Sequence, residues 1–287
     1  MSNSIIAPPN ILSHPAPDVT TDDKKIAISF EHVSIAFEEN KVLDDISFSL
    51  RQGETKVILG VAGTGKTLLL KLALGLLCPD SGRITVLGQE VTSMKENDLF
   101  ALRRRVGMVF QESALFDSLT VRENVAYPLH EQGGLSPEEI ESRVREALRF
   151  VELEHTLDLF PSELSGGMRR RVAIARGMIT HPEVILYDSP TGGLDPVTST
   201  TIVELIVKSR DVYKTTSIVV THRLQDAFVM ATHYFDTEAN TMKPVKAGSN
   251  RDVHTRFLIL RDTHIIFEGT AADLIATKDE YLKEYLS

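Results

Sequence analysis

The sequence predicts an α/β fold: a mostly parallel sheet covered by helices, with an antiparallel hairpin near its end. Two observations carry this. Short β-type runs alternate along the chain with helical ones, as in parallel sheets whose crossovers are helices. Near the end, RFLILRD and HIIFEG face each other across Asp262 and Thr263, the pattern of a hairpin. The chain shows no internal repeat, so one copy of the domain is expected.

Taken in order, the expected strands are IAISFEHV, VLDDISFSL, KVILG, RITVLG, VGMVF, EVILYD and SIVV. Helices fit between them at LLLKLALGL, from Pro137 to Val151, from Gly166 to Ile179 and after Pro196. Residues 235–255 are polar and without period, which reads as a surface insertion. The first 25 residues contain Pro8, Pro9, Pro15 and Pro17 and lack the basic start and apolar core of a signal peptide; they are expected to form a flexible tail. Residues 26–287 are then one domain.

Composition narrows the function. The chain has 287 residues, 42% hydrophobic and 25% charged, enough for an ordinary buried core. Its 31 basic and 40 acidic residues give a net charge of -9, which argues against general affinity for nucleic acid or anionic membrane. One cysteine, Cys78, excludes an internal disulfide framework. The richest apolar run, LLLKLALGLLC, is about half of a membrane span and carries Lys71. The arginine triplets Arg103–Arg105 and Arg169–Arg171 are expected on solvated helix faces or at a partner interface rather than on nucleic acid. The nine histidines show no metal-ligand spacing.

The first chemical motif is GVAGTGKT, residues Gly60, Val61, Ala62, Gly63, Thr64, Gly65, Lys66 and Thr67, placed between the strand KVILG and a helix. Its glycines let successive N–H groups face one point, and the helix adds its positive end there, a cradle for phosphates. Lys66 would reach the β- and γ-phosphates of a nucleotide and the Thr67 hydroxyl would coordinate magnesium. The second motif, ELSGGMRRRVAIAR, reads by itself as a Ser165 cap on a helix whose Met168, Val172, Ala175 and Ile179 share a face. Lying between the phosphate cradle and VILYDSP, it becomes a second phosphate-facing helix end.

With these motifs in place, residues 26–287 resemble the ABC-type ATPases. The resemblance implies a P-loop (RecA-like) fold with an antiparallel β subdomain and an inserted helical subdomain at about 112–165. It implies ATP and Mg2+ as nucleotide and metal, Gln111 as the Q-loop glutamine, and Asp188 as the magnesium carboxylate. GGLD, residues 192–195, matches the D-loop, His222 matches the switch histidine, and Phe37 stands where an aromatic stacks on adenine. In that family two chains share each site, the P-loop of one facing Ser165 and Gly167 of the other, so a second ATPase subunit, as a homodimer or with a close relative, is implied.

Ser189 departs from the family, which usually has a glutamate there to polarise the attacking water. A serine hydroxyl is a poor proton acceptor, and loss of a positioned base costs about 10²- to 10⁴-fold in rate, roughly 3–5 kcal/mol. Positioning and charge neutralisation carry most of phosphoryl transfer, so slow hydrolysis is expected rather than none.

ALFDSLTVRENVAYPL, residues 114–129, follows Gln111. The resemblance implies an integral membrane permease docking near residues 112–129, where Leu115, Phe116, Leu119 and Val121 would offer an apolar groove to a helix; Leu119 and Val121 fit the core of the helical subdomain equally well. The phrases ALFDSLTV and ENVAYPL, with LSGGM before a basic run, are similar to the ATPases of MCE-type (Mla) systems. These systems move phospholipids or other lipids in the bacterial envelope, which implies an MCE-type substrate-binding protein in the same assembly and a peripheral place on the cytoplasmic face of the inner membrane. Two rival readings are a soluble ABC ATPase of DNA repair or translation, whose second ATPase domain, coiled coil and zinc inserts are missing here, and a nucleotide-gated scaffold subunit with little turnover, which Ser189 makes credible.

Overall fold

The computed structural model describes residues 25–246 and 251–286; apart from Lys25, the expected tail lies outside the described residues. The chain runs β1 (Ile26–Phe37), β2 (Asn40–Arg51), β3 (Thr55–Leu59), α1 (Lys66–Ala73), β4 (Ser81–Val86), β5 (Gln89–Glu90), α2 (Glu96–Arg103) and β6 (Val106–Val109). There follow α3 (Val121–Gln132), α4 (Pro137–Phe150), α5 (Gly166–Met178), β7 (Val184–Asp188), α6 (Pro196–Tyr213), β8 (Thr216–Val220) and α7 (Leu224–Thr232). The described chain closes with β9 (His233–Asp236), β10 (Thr241–Pro244), β11 (Thr255–Arg261), β12 (His264–Gly269), α8 (Ala271–Ile275) and α9 (Glu280–Leu286).

The main sheet has the order β12-β11-β3-β8-β7-β6, parallel from β11 to β6 and closed at one edge by antiparallel β12. A four-stranded antiparallel sheet, β2-β1-β4-β5, stands apart from it. Side-chain alternation explains why the central strands are continuously apolar. Val57 and Leu59, Ile185 and Tyr187, Val219, and Phe257 and Ile259 enter one core with α3 to α7, while Ile58, Val184, Leu186, Ile218, Val220, Leu258 and Leu260 enter the other with α1, α2 and the antiparallel sheet. Each strand is thus buried on both faces, and the chain leaves the carboxyl ends of β3, β6, β7 and β8 together at one edge.

Local chemistry starts the helices around that edge. Thr120 and Ser136 form capping boxes with Glu123 and Glu139, Ser165 accepts from the Met168 amide, and Asp195 accepts from the Thr198 amide ahead of Pro196.

In the region read as a surface insertion, 235–255, β10 pairs in antiparallel register with β9, which starts two residues earlier, from Asp236↔Thr241 to His233↔Pro244. Two expectations need correction. Val121 belongs to the core with no exposed surface, so it lines no groove. Of the arginine triplets, Arg170 is 5% exposed and is not part of a solvated face.

Candidate active site

Burial fixes where the phosphate cradle can sit. All five residues of β3 are buried, and the loop after it turns through three glycines with positive φ: Gly60 at 149°, Gly63 at 84° and Gly65 at 83°. A β-carbon on Gly60 would stand 2.5 Å from the Leu260 carbonyl and one on Gly65 2.9 Å from the Leu43 side chain, so the loop is pressed between β11 and β2. At Gly63 nothing lies within 4 Å, and there the loop opens outward with Val61 and Ala62 exposed. Helix α1 begins directly behind it, and no side chain caps its first turn. Amides at such an uncapped end favour an anion.

The Lys66 ammonium is held at the centre of this curl by the carbonyls of Gly60 at 2.8 Å and Val61 at 2.6 Å and by the Thr64 hydroxyl at 3.2 Å. Burial lowers its pKa, with the Asp188 charge opposing the shift. Thr67 donates to Asp188 Oδ1 at 2.9 Å. This sets a hydroxyl and a carboxylate side by side, the oxygen pair that suits a hard divalent cation next to phosphate. Asp188, at the end of β7, is 6% exposed; burial raises its pKa, and Thr67, Lys71, Lys66 and Arg170 pull it back. An open glycine curl, an uncapped helix end and this oxygen pair together fit ATP with Mg2+.

The remaining expected residues collect at the same sheet edge. Gln111 follows β6 on a turn closed by the Ser113 amide and the Phe110 carbonyl at 3.0 Å. Ser189 follows Asp188 with a φ of 45°, its amide donating to the Val220 carbonyl of β8. A β-carbon at Gly192 would stand 3.5 Å from Ser189 Cβ and 3.9 Å from Gln111 Cγ, which places the glutamine, the serine and the GGLD turn around one point. His222 lies two residues beyond β8, exposed, where Thr221 is tied to Ile58 of β3. Phe37, 48% exposed, sits at the tip of the β1–β2 hairpin, whose Val42 and Leu43 pack on Gly65. At the start of α5, a β-carbon on Gly167 would meet Thr198 at 2.3 Å, so the SGG end rests on the first turn of α6.

Beside Gln111 runs a groove of about 420 Å³ lined by Phe100, Met108, Phe110, Phe116, Tyr127 and Pro128. Phe100 is 59% exposed, and Phe116 and Tyr127 lie 4.7 Å apart between ring centroids. Of the four groove residues expected from sequence only Phe116 lines it; Leu115 packs on the core and Val121 is inside it. Sequence reasoning also missed two arginines of α5. Arg170 donates to the carbonyls of Phe110, Ser189 and Gly192, and Arg176 to those of Ser113 and Ala114. The period of α5 carried no signal for them, because Arg170 is two positions from both Met168 and Val172, on the side away from the apolar face, and Arg176 lies one position beyond Ala175.

A family model described as ABC transporter matches residues 43–192, slightly more than half of the chain. The chain belongs to the ABC transporter family. It is 33% identical over 259 residues to the intermembrane phospholipid transport system ATP-binding protein MlaF of Escherichia coli (strain K12), across 90% of this chain and 88% of that protein. It is 42% identical over 193 residues to the protein Trigalactosyldiacylglycerol 3, chloroplastic, of Arabidopsis thaliana, covering 64% of this chain and 55% of the plant protein. The methionine import ATP-binding protein MetN 2 of Bacillus cereus is 39% identical over 201 residues, covering 69% of this chain and 59% of that protein. In structure, this ABC ATPase matches a dimeric ATP-binding cassette in a post-hydrolysis state bound to ADP and Pi, with a TM-score of 0.70 and 28% identity over 85% of this chain and 98% of that one. Membership makes the chain an ATP hydrolase that uses ATP with Mg2+, and implies dimerisation and a membrane permease partner. No helix among the described residues is long and apolar enough to cross a membrane.

Proposed function

We propose that the chain is the ATP-binding subunit of a transporter that moves phospholipid through a separate permease, working as a homodimer at the cytoplasmic face of the bacterial inner membrane alongside an MCE-type substrate-binding protein. The observation that carries the transporter reading is the exposed aromatic groove beginning at Phe110, the residue before Gln111. A permease helix seated there would touch the loop that also reaches the nucleotide, as energy coupling requires. The phospholipid class is supported by length of match: the MlaF similarity runs through 90% of the chain, whereas the MetN 2 similarity covers 69%.

In this reading Lys66 and the amides of residues 60–67 hold the phosphates, Thr67 and Asp188 hold the magnesium ion, Phe37 stacks on adenine, and Gln111, Ser189 and His222 surround the attacking water. Ser165 and Gly167 complete the partner's site. The test is purification from native membranes followed by turnover assays in vesicles. An integral membrane protein co-purifying with the chain, and ATP hydrolysis stimulated by phospholipid but not by methionine, are the expected results; stimulation by methionine alone overturns the cargo assignment.

A second reading, a nucleotide-gated scaffold with little turnover, is favoured by Ser189 alone. Steady-state hydrolysis separates it: a chain that dimerises with ATP yet shows negligible turnover until Ser189→Glu restores the carboxylate acts as a gate.

A further inference from the structure

Arg170 stands on α5 five residues after Ser165 and buries its guanidinium at the meeting point of three loops. Nη1 donates to the Phe110 carbonyl at 3.2 Å and to the Ser189 carbonyl at 3.2 Å, and Nη2 to the Gly192 carbonyl at 3.4 Å. Its Nε is buried with no hydrogen-bond partner. A cation held this deep is costly to bury, and packing alone would be served as well by an apolar side chain of similar length. Two of the carbonyls do not need it: Phe110 already accepts from the Ser113 amide at 3.0 Å and Ser189 from the Gly192 amide at 2.9 Å. What the guanidinium adds is a rigid fork that fixes the turn before Gln111, the exit of the Asp188 strand and the GGLD turn relative to one helix.

We propose that Arg170 is a positioning residue that locks Gln111, Ser189 and the Gly192 turn to α5, so that movement of the SGG end of α5 on one nucleotide resets the water-facing groups of the chain's own site. The inference deepens the ATPase reading and rests on it. The helix end at Ser165 and Gly167 and the three loops move together because one planar side chain holds all of them. Hydrolysis at the two sites of a dimer is thereby coupled, and the coupling passes through a residue that touches neither nucleotide.

The experiment uses the full chain and the variants Arg170→Met and Arg170→Lys, each also in a Ser189→Glu background where turnover is higher. ATP affinity, KM, kcat, the Hill coefficient for ATP and the melting temperature are measured. Arg170→Met keeps the length, removes the buried charge and leaves Phe110 and Ser189 their backbone donors. It is expected to melt no lower than the parent and to bind ATP within threefold, while kcat falls at least tenfold and the Hill coefficient drops to 1. Arg170→Lys, with a single donor atom, is expected to keep the charge without restoring kcat. Parent-like kcat and Hill coefficient in Arg170→Met overturn the proposal, as does a loss of kcat that merely follows a lower melting temperature and lost ATP affinity. Absence of ATP binding by the parent chain overturns the ATPase reading first, and this inference with it.

Discussion

Thr67 donates its hydroxyl to Asp188 across 2.9 Å, joining the first turn of α1 to the end of β7 and bringing together two residues 121 positions apart in sequence. The pair is built before any cation arrives, so little reorganisation is needed to bind one. Thr67→Val preserves the shape and removes the oxygen. It is expected to raise the Mg2+ concentration needed for half-maximal hydrolysis by about 10- to 100-fold, the usual range for disturbing groups at a metal site. A magnesium titration at saturating ATP measures it.

Asp188 also sets a pH dependence. Burial raises its pKa above the ordinary carboxylate value, so it takes up a proton at a higher pH than an exposed carboxyl does. Cation binding needs the deprotonated form, and Mg2+-dependent activity is expected to fall on mild acidification while exposed carboxylates are still charged. Stability moves the other way. The folded state binds this proton more readily than the unfolded chain, so this group's cost to stability shrinks as pH falls through the raised value and is gone below the unfolded one. Asp188→Asn removes the same cost at neutral pH and is expected to melt higher without nucleotide while losing hydrolysis. Calorimetry at two pH values checks both signs.

Much of this site is legible in the sequence alone, because strand, glycine loop and helix are local features with a fixed order. Apart from the two-residue β5, the strands from β1 to β8 begin and end within a few residues of the apolar runs, and the capped helices α4, α5 and α6 start where Ser136, Ser165 and Asp195 mark them. What escapes is decided by contacts between distant segments. Helix α3 carries Pro128 within it and reads in sequence only as an apolar phrase, and the β9–β10 hairpin has no alternation. Arg170 and Arg176 look like surface charges in sequence; only the fold shows carbonyls from loops 60 or so positions away converging on them.

Restoring a carboxylate beside Asp188 tests the chemistry directly. Ser189 already occupies a left-handed φ of 45°, which burdens any β-carbon alike, so Ser189→Glu adds no new backbone strain. Turnover is expected to rise by about 10²- to 10⁴-fold with ATP affinity little changed. Glu112, whose charge reaches Arg170 along with that of Asp188, is the control: if it already serves as base, Glu112→Gln lowers parent turnover, and Ser189→Glu then gains less. Single-turnover kinetics of the parent and the two variants distinguishes these outcomes.

Lys66→Ala addresses binding rather than chemistry. The ammonium makes three contacts inside the loop, at Gly60, Val61 and Thr64, and is the cation at its centre. Its removal leaves the fold of β3 and α1 intact, since both are held by apolar contacts in the two cores. ATP affinity is expected to fall at least tenfold, a loss of about 1.4 kcal/mol or more, and ATP-dependent dimerisation to disappear. Sedimentation with and without nucleotide measures it.

Asn124 separates the shape of the proposed docking groove from its surface chemistry. The side chain is fully buried under the loop before α3; it accepts from the Phe116 amide at 2.8 Å and donates to the carbonyls of Phe116, Leu119 and Thr120, each at 3.0 Å. Alanine would leave the Phe116 amide and the Leu119 carbonyl without their side-chain partner, while the Phe116 and Thr120 carbonyls keep the Leu119 and Asn124 amides; the cost is about 1–3 kcal/mol, which corresponds to a melting point about 2–8 °C lower in a chain of this size. The loop holding Phe116 would loosen, and Phe116 would no longer be presented at a fixed height beside Tyr127. Phe116→Ser, by contrast, removes an exposed ring and is expected to leave the melting point within a few degrees of the parent. Both variants are expected to lose the permease in co-purification, but only Asn124→Ala should do so with reduced stability. If Phe116→Ser retains the permease fully, the aromatic groove is not the surface that meets the membrane partner.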